Sequence, residues 1–154
     1  MVEQPPCEAH VCVLLCSDFS NLRKDLSQCR STRELIVELV KEYRFEAAHR
    51  LPNVPGGHKC SRVHGHSYKV EVEVRGPIDP HTGWLIDFGV IDDAWAELFA
   101  RFDHHYLNDV PGLENSTCEH IAIYIYEALR PKIAPLSAVT VWETYDSKCT
   151  YRGA

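Results

Sequence analysis

The chain has 154 residues, enough for one domain with a hydrophobic core of its own. Its 45% hydrophobic and 25% charged residues are typical of a globular protein, which argues against a fibre or a membrane-spanning chain. With 16 Lys and Arg against 22 Asp and Glu, the net charge is −6, so neither nucleic acid nor a membrane is expected as a main partner. A small anionic substrate is compatible with this charge, because a few local cations are enough to bind it.

Seven cysteines are spread along the chain: Cys7, Cys12, Cys16, Cys29, Cys60, Cys118 and Cys149. Their odd number, without a Cys-x-x-Cys spacing or a recognisable signal peptide, predicts reduced thiols and a cytoplasmic location. Four of them lie in residues 1–33, which show no sustained hydrophobic period and which we expect to be a loosely ordered extension. A small metal knot is the alternative there, although the cysteine spacing matches no common zinc finger. Residues 34–154 are predicted to form a single domain.

Two stretches of alternating polarity come next, and each predicts a half-buried β-strand. The apolar residues of the first stretch share the parity of His49: Leu35, Val37, Leu39, Tyr43, Phe45 and Ala47. Those of the second share the parity of His64 and His66: Tyr68, Val70, Val72 and Val74. Since side chains two residues apart lie on the same face of a strand, His64 and His66 should point together toward the core. If the two strands are neighbours, His49 can face this pair.

Three neutral imidazoles with an open fourth position are typical of catalytic zinc, so His49, His64 and His66 are candidate metal ligands. The alternative is three separate histidines, each with its own hydrogen bond. Cys60 lies in a loop before the pair, and a thiolate beside a cation and a histidine can abstract a proton. Two alternatives stay open for Cys60: an inert thiol, or a fourth ligand that would make a non-catalytic zinc-binding module.

A turn-rich connection over residues 76–83 leads to a predicted helix with Asp87 at its N-cap. Its apolar residues recur at helical spacing and are expected to cover the sheet: Phe88, Ile91, Trp95, Leu98, Phe99 and Phe102. A polar loop is predicted over residues 103–112. There Asp103 lies next to His104, and an aspartate can orient or charge an imidazole for proton transfer, although a plain helix-terminus loop is the simpler interpretation.

A second helix is predicted to open at Ser116, with Glu119 three residues on as in a capping box. Strands over residues 137–145 and 149–151 then form a predicted hairpin. Glu143 shares the parity of apolar residues in the first of these strands, so it needs either a protein arginine or a ligand with paired N–H groups. The order of strand, strand, helix, helix, strand, strand predicts an α+β domain with a four-stranded antiparallel sheet and two helices on one face.

Short motifs in a single order give the chain a specific resemblance to a known family. They are FEAAHRL at 45–51, GHKC at 57–60, HGH at 64–66, DPHTGW at 79–84, IDF at 86–88, DHHYLN at 103–108, PGLEN at 111–115, ET at 143–144 and YRG at 151–153. This set resembles the 6-pyruvoyl-tetrahydropterin synthase family, and most closely its queuosine-pathway branch, which forms a 6-carboxytetrahydropterin. Residues 1–33 have no counterpart in the resemblance.

The resemblance implies the tunnelling fold, or T-fold, in which the sheets of several subunits join into a barrel with active sites at subunit contacts. A homo-oligomer is therefore implied, either a hexamer built as a dimer of trimers or a tetramer. The resemblance also implies that His49, His64 and His66 bind Zn²⁺.

The remaining site residues also take their roles from the resemblance. Cys60 would be the proton-abstracting thiolate, and Asp103 with His104 would form the second acid/base group. Three further residues would contact the pterin: Glu143 at its aminopyrimidine edge, with Thr117 and Glu119 beside it. Lys59 and Arg62 flank the thiol and are candidate anion contacts, although basic residues in loops are usually just solvated.

Both branches of the family act on 7,8-dihydroneopterin triphosphate. Three residues separate Cys60 from His64 here, as in the carboxy-forming branch, whereas pyruvoyl-forming enzymes have a longer interval. The resemblance therefore implies a zinc-dependent carbon–carbon lyase of queuosine biosynthesis, which releases acetaldehyde and triphosphate and leaves 6-carboxy-5,6,7,8-tetrahydropterin. The alternative is triphosphate elimination without side-chain cleavage, as in a 6-pyruvoyl-tetrahydropterin synthase.

Overall fold

The computed structural model of the protein describes residues 34–154. The predicted extension over residues 1–33, with its four cysteines, lies outside the described residues. The elements of the described part run in this order: β1 (Ile36–His49), β2 (His64–Pro77), α1 (Phe88–Phe102), β3 (His105–Tyr106), α2 (Cys118–Leu129), β4 (Leu136–Trp142) and β5 (Lys148–Tyr151). Two short 3₁₀ turns lie in the connections, at Lys59–Ser61 and Leu107–Asp109. Neither helix of this part of the chain is long and apolar enough to cross a membrane.

The strands form one sheet in the order β3-β1-β2-β4-β5. β1 and β2 are antiparallel along their whole length, and His49 at the end of β1 lies directly opposite His64 at the start of β2. The two strands are therefore neighbours, which is the condition under which His49 can face His64 and His66. β4 pairs with β2 and β5 pairs with β4, both in antiparallel orientation.

The prediction of a four-stranded antiparallel sheet is correct for the four longer strands, but a fifth strand of two residues joins them. β3 runs parallel to β1, with His105 paired to Ala47, inside the segment predicted to be a polar loop. The amide of Glu46 donates to the Asp103 carboxylate (3.0 Å), and the amide of His104 donates to the carbonyl oxygen of Glu46 (2.6 Å). These long-range bonds hold the segment against β1, whereas two residues are too few to show an alternating pattern in the sequence.

Both helices pack on one face of the sheet, as predicted. The core that they form with the sheet includes Phe45, Tyr68, Val70, Val72, Ile91, Leu98, Phe102, Ile121, Ile125, Leu129, Val139 and Val141. Charged side chains occupy the opposite face of β1 and β2, where Lys69 pairs with both Glu42 and Glu71. One apolar sheet face covered by two amphipathic helices is the packing expected of an α+β domain.

α1 begins where it was expected, because Oδ1 of Asp87 accepts a hydrogen bond from the amide of Gly89 at 2.8 Å. The expectation that Phe88 and Phe99 are core residues is wrong, since they are 45% and 41% exposed. They lie at the edges of the buried stripe of this helix, which consists of Ile91, Ala94, Trp95, Leu98 and Phe102. A residue at the edge of such a stripe keeps one side in water even though its spacing fits the helical period.

Candidate active site

Three histidines come together at the end of the sheet where β1 ends and β2 begins. One ring nitrogen from each of His49, His64 and His66 lies within 4.8 Å of the other two. His49 is fully buried and the other two are partly buried. Strand pairing explains this arrangement, because His49 lies opposite His64, and His66 is two residues further along the same face of β2. The structure thus brings the three predicted ligands into a group that could hold a metal ion.

Two backbone carbonyl groups determine which nitrogens of these rings carry protons. Nδ1 of His49 is 2.8 Å from the carbonyl oxygen of Ser116, and Nδ1 of His64 is 2.8 Å from that of Arg62. Because a carbonyl oxygen only accepts, each neutral ring has its proton on Nδ1 and a lone pair on Nε2. The two Nε2 atoms are 3.1 Å apart, so their lone pairs repel each other unless a cation or a proton lies between them.

The environment of the third ring supports a metal site as well. Nε2 of His66 is buried and has no hydrogen-bond partner among the described residues, which is uncommon for a buried polar atom. Burial lowers the pKa of His49 and of His66 below the usual 6.5, against the opposing effect of the Glu143 carboxylate. Neutral imidazole is the form that binds metals. Three converging nitrogen lone pairs fit a divalent metal such as zinc.

Glu143 lies beside the histidine cluster, in the connection between β4 and β5. Its Oε1 atom is 3.5 Å from Nε2 of His49 and 3.9 Å from Nε2 of His66. The sequence predicts a strand through residue 145, but β4 ends at Trp142, and the amide of Glu143 donates to the carbonyl oxygen of Ser147. Among residues 34–154, no arginine lies within ion-pair distance of Glu143. Its carboxylate is therefore available to a bound ligand.

Cys60 and Glu143 line one cavity of about 570 Å³. The other residues that line it are Leu51, Lys59, Arg62, Val63, His64, His66 and Thr144. The Cys60 thiol is free, and its backbone is fixed by two hydrogen bonds, from its amide to Nδ1 of His58 (3.2 Å) and from the amide of Leu51 to its carbonyl oxygen (2.8 Å). Cys60 does not belong to the group of converging donor atoms that the histidines form. This favours a reactive thiol beside the cluster over a fourth ligand.

A second cavity of about 410 Å³ shares Leu51 and Glu143 with the first. Its remaining lining residues come from the start of α2 and from the hairpin: Thr117, Cys118, Glu119, Ser147, Lys148 and Cys149. Two of the residues expected to contact a pterin, Thr117 and Glu119, therefore lie in the same cavity as the third, Glu143.

The start of α2 differs by one residue from the expectation. Thr117 is the N-cap, and its hydroxyl oxygen accepts from the amide of His120 at 3.3 Å. Glu119 does not form the predicted capping box. Its carboxyl group instead accepts hydrogen bonds from its own amide and from the Thr117 hydroxyl, and these bonds lower its pKa. Ser116 is fully buried before the helix, where its carbonyl oxygen accepts from His49. Serine and threonine are both good caps, and in the structure the side chain of Thr117 caps the helix while the Ser116 hydroxyl is buried.

Asp103 and His104 form the expected pair but do not line the Cys60 cavity. Nδ1 of His104 is 2.8 Å from Oδ2 of Asp103, and the hydrogen bonds from the Glu46 amide and then from His104 lower the pKa of Asp103. His104 has a φ of 60°, a left-handed conformation that is uncommon for residues other than glycine. It lines a separate cavity of about 510 Å³, which shares only His66 with the cavity of Cys60. Within one chain, His104 and the Cys60 thiol therefore line different cavities.

Two contacts that support His49 have no signal in the sequence. The hydroxyl of Tyr68 lies 3.3 Å from Nδ1 of His49, and its ring packs edge-on against His66. Strand alternation identifies Tyr68 only as a core residue. The other contact is the carbonyl oxygen of Ser116, which is 67 residues from His49 along the chain. A backbone acceptor at that separation leaves no pattern in the sequence.

Known proteins resemble this chain in both sequence and fold. A family model described as 6-pyruvoyl tetrahydropterin synthase matches residues 38–154. The 6-carboxy-5,6,7,8-tetrahydropterin synthase of Synechocystis is 40% identical over 119 residues, which cover 73% of this chain and 91% of that protein. Human 6-pyruvoyl tetrahydrobiopterin synthase is 33% identical over 138 residues, which cover 79% and 94%. The structure of Caenorhabditis elegans 6-pyruvoyl tetrahydropterin synthase matches with a TM-score of 0.74 at 31% identity, over 79% of this chain and 99% of that one.

The family match includes all the candidate site residues, from His49 to Glu143. It agrees with the fold, whose antiparallel sheet and two helices are those of the predicted T-fold. The chain belongs to the 6-pyruvoyl tetrahydropterin synthase family.

Proposed function

We propose that this protein is a zinc-dependent lyase of queuosine biosynthesis that converts 7,8-dihydroneopterin triphosphate and one water into 6-carboxy-5,6,7,8-tetrahydropterin, acetaldehyde and triphosphate. The observation that carries the proposal is the cavity in which a free thiol, two of the clustered histidines and Glu143 meet. Relatives that are 40% and 38% identical are named 6-carboxy-5,6,7,8-tetrahydropterin synthase, the second as putative, and a human 6-pyruvoyl synthase is 33% identical. The short interval between Cys60 and His64 supports the same branch.

Each part of the site has a distinct role in this proposal. His49, His64 and His66 would hold the zinc ion, which when bound polarises the oxygen atoms of the substrate side chain. Cys60, as a thiolate, accepts a proton from that side chain. Glu143 accepts hydrogen bonds from the N–H groups of the aminopyrimidine ring, for which a carboxylate is the strongest acceptor that a side chain offers. Thr117 and Glu119 enclose the ring from the start of α2 in the second cavity, which the ring enters beside Glu143.

A homo-oligomer, either a hexamer of two trimers or a tetramer, would complete this site. Asp103 and His104 lie outside the Cys60 cavity of their own chain, so a neighbouring copy is needed to supply them. Asp103 then orients the His104 ring, which exchanges a proton with the substrate opposite Cys60. Mixed assemblies of Cys60→Ser and His104→Ala chains should recover activity that neither variant has alone. No recovery would mean that one chain supplies both groups to each site.

The central test is incubation of the zinc-loaded full chain with 7,8-dihydroneopterin triphosphate, followed by identification of the products. The proposal expects 6-carboxytetrahydropterin and acetaldehyde in equal amounts, together with triphosphate. A 6-pyruvoyl product that keeps all the side-chain carbons would establish the alternative enzyme instead. If the substrate is unchanged while the protein still binds zinc, the non-catalytic zinc-binding module is the better description.

A further inference from the structure

Two cations line the Cys60 cavity without a function in the proposal so far. Lys59 and Arg62 lie on either side of Cys60 in the chain, and both residues line the 570 Å³ cavity. Within the described residues, neither forms a salt bridge with a carboxylate. Four other cations of this part of the chain do form one: Lys41, Lys69, Arg75 and Lys132. An unpaired pair of cations in a cavity wall is a favourable place for an anion.

A backbone turn brings Lys59 and Arg62 close together in the cavity wall. Lys59 begins the 3₁₀ turn Lys59–Ser61, and the amide of Arg62 donates to the carbonyl oxygen of Lys59 at 3.4 Å. Arg62 follows the turn as its C-cap. His58 fixes the turn at its start, because its carbonyl oxygen accepts from both the amide and the hydroxyl of Ser61. The backbone of Arg62 is also fixed, since its carbonyl oxygen accepts from His64, while its guanidinium group remains exposed.

Charge is distributed unevenly along the two joined cavities. Glu143 lies where they meet, and Thr117 and Glu119 lie beyond it in the second cavity. Both cations line the 570 Å³ cavity, together with Cys60, His64 and His66. The acceptors for N–H groups therefore lie at the junction and in the second cavity, whereas the thiol, two histidines and two positive charges lie in the 570 Å³ cavity. A pterin ring in the second cavity would direct its side chain and a polyphosphate into the cavity that holds the cations.

We propose that Lys59 and Arg62 form the subsite for the triphosphate group of the substrate, and that this contact places the pterin side chain across Cys60 and the histidines. The inference rests on the proposed function, because it takes its ligand from there. Lys148 is the other cation in the joined cavities, but its Nζ lies over the Trp142 ring at 4.3 Å, beside the pterin end. A guanidinium group and an ammonium group together can bind several phosphate oxygens. Arginine forms bidentate hydrogen bonds with them, and lysine contributes a compact positive charge.

The test measures phosphate recognition separately from pterin recognition. Inorganic triphosphate and 7,8-dihydroneopterin, which has no phosphate, are titrated into the zinc-loaded full chain by calorimetry. Lys59→Gln and Arg62→Gln should each weaken triphosphate binding about 10-fold, as expected for loss of a charge-assisted hydrogen bond, and should leave dihydroneopterin binding unchanged. Lys132→Gln and Arg130→Gln are matched controls, because they remove the same charges outside all of these cavities and should alter neither affinity. With the true substrate, the two cavity variants should raise KM more than they lower kcat.

Several outcomes would overturn the inference. Equal triphosphate affinity in the wild type and both cavity variants would show that the ion binds elsewhere, for example to the zinc. Equal weakening of triphosphate and dihydroneopterin binding would indicate general damage to the cavity, and zinc content measured on the same samples would reveal it. If no pterin product forms but triphosphate binding still depends on Lys59 and Arg62, the proposed function fails and the subsite stands. If the lyase is active and KM is unaffected in both variants, the subsite fails and the function stands.

Discussion

Replacing Cys60 by serine separates proton abstraction from metal binding, the two roles that the position of this thiol allows. The substitution exchanges one sulfur for one oxygen and keeps both backbone hydrogen bonds of residue 60, those with His58 and Leu51. The three imidazole nitrogens converge without Cys60, so the variant should bind zinc with the same stoichiometry as the wild type. The turnover rate should fall strongly, because serine does not supply an ionised base near neutral pH.

The expected loss follows from the usual contribution of a general base. Such groups contribute about 10²- to 10⁴-fold to a rate, so a decrease in kcat of about 10³-fold is expected, equivalent to about 4 kcal/mol of activation free energy. Cys118 does not replace the missing base. Burial, with the nearby charge of Glu143, raises the pKa of its thiol to about 12, so only roughly one molecule in 10⁵ is ionised at neutral pH.

The assay combines zinc content by atomic emission with single-turnover kinetics on the same protein sample, and His64→Ala serves as the comparison that removes a ligand. Cys60→Ser is expected to retain zinc where His64→Ala loses it. If both variants lose zinc equally, Cys60 is a metal ligand and the reasoning from the histidine geometry is wrong. A fully zinc-loaded Cys60→Ser protein with kcat within about 10-fold of the wild type would instead exclude Cys60 as the base.

Three further predictions concern Glu143, Tyr68 and Cys118. Glu143→Gln should weaken dihydroneopterin binding by about 10- to 100-fold with zinc content unchanged; loss of zinc in this variant would make Glu143 a ligand. Tyr68→Phe removes the hydroxyl that lies 3.3 Å from Nδ1 of His49. This variant should bind zinc about 10-fold more weakly in chelator competition. Unchanged zinc affinity would mean that the Ser116 carbonyl alone orients the His49 ring. The pKa of Cys118 is raised from 9.0 to about 12 in the folded protein. Above about pH 9, the thiol is therefore ionised in the unfolded chain but still protonated in the folded protein. The free energy of unfolding then falls as pH rises, by up to about 1.4 kcal/mol per pH unit. Urea unfolding of wild type and Cys118→Ser at pH 8 and pH 10 checks this, and identical pH dependence in the two proteins would contradict it.

Strand alternation predicted which face of each strand carries the three histidines, whereas their convergence also required the two strands to be neighbours. A strand has a period of two residues, so the shared parity of His64, His66 and Tyr68 by itself assigns all three to one face. The same argument assigns His49 to the buried face of β1. Its position opposite His64 depends on the register, and a shift by one residue would have turned the whole face outward. The apolar faces exclude shifts by an odd number of residues, and the structure adds the exact pairing of His49 with His64.

Contacts between distant parts of the chain were not predictable in this way. Ser116 and Thr117 are both suitable N-caps, but Thr117 caps the helix, and the Ser116 carbonyl oxygen accepts a hydrogen bond from the distant His49. The strand β3 forms because Glu46 in β1 bonds to Asp103 and His104. Neither interaction has a periodic pattern, since each involves the backbone of one partner. Sequence patterns thus located the elements and their buried faces, whereas tertiary hydrogen bonds set their ends.

The division of the site between strands and connections explains why fold similarity does not identify the reaction product. The histidines belong to β1 and β2, whose pairing over 14 residues fixes the positions of their nitrogens. Cys60 and Glu143 belong instead to the connections after β1 and β4, and connections tolerate changes in length far better than paired strands do. Under the proposed function, a longer interval between Cys60 and His64 would shift the thiol relative to the substrate while the strand pairing keeps the histidines in place. The TM-score of 0.74 to a 6-pyruvoyl tetrahydropterin synthase therefore reports the shared fold, whereas in our proposal the choice of product depends on where the connection places the thiol.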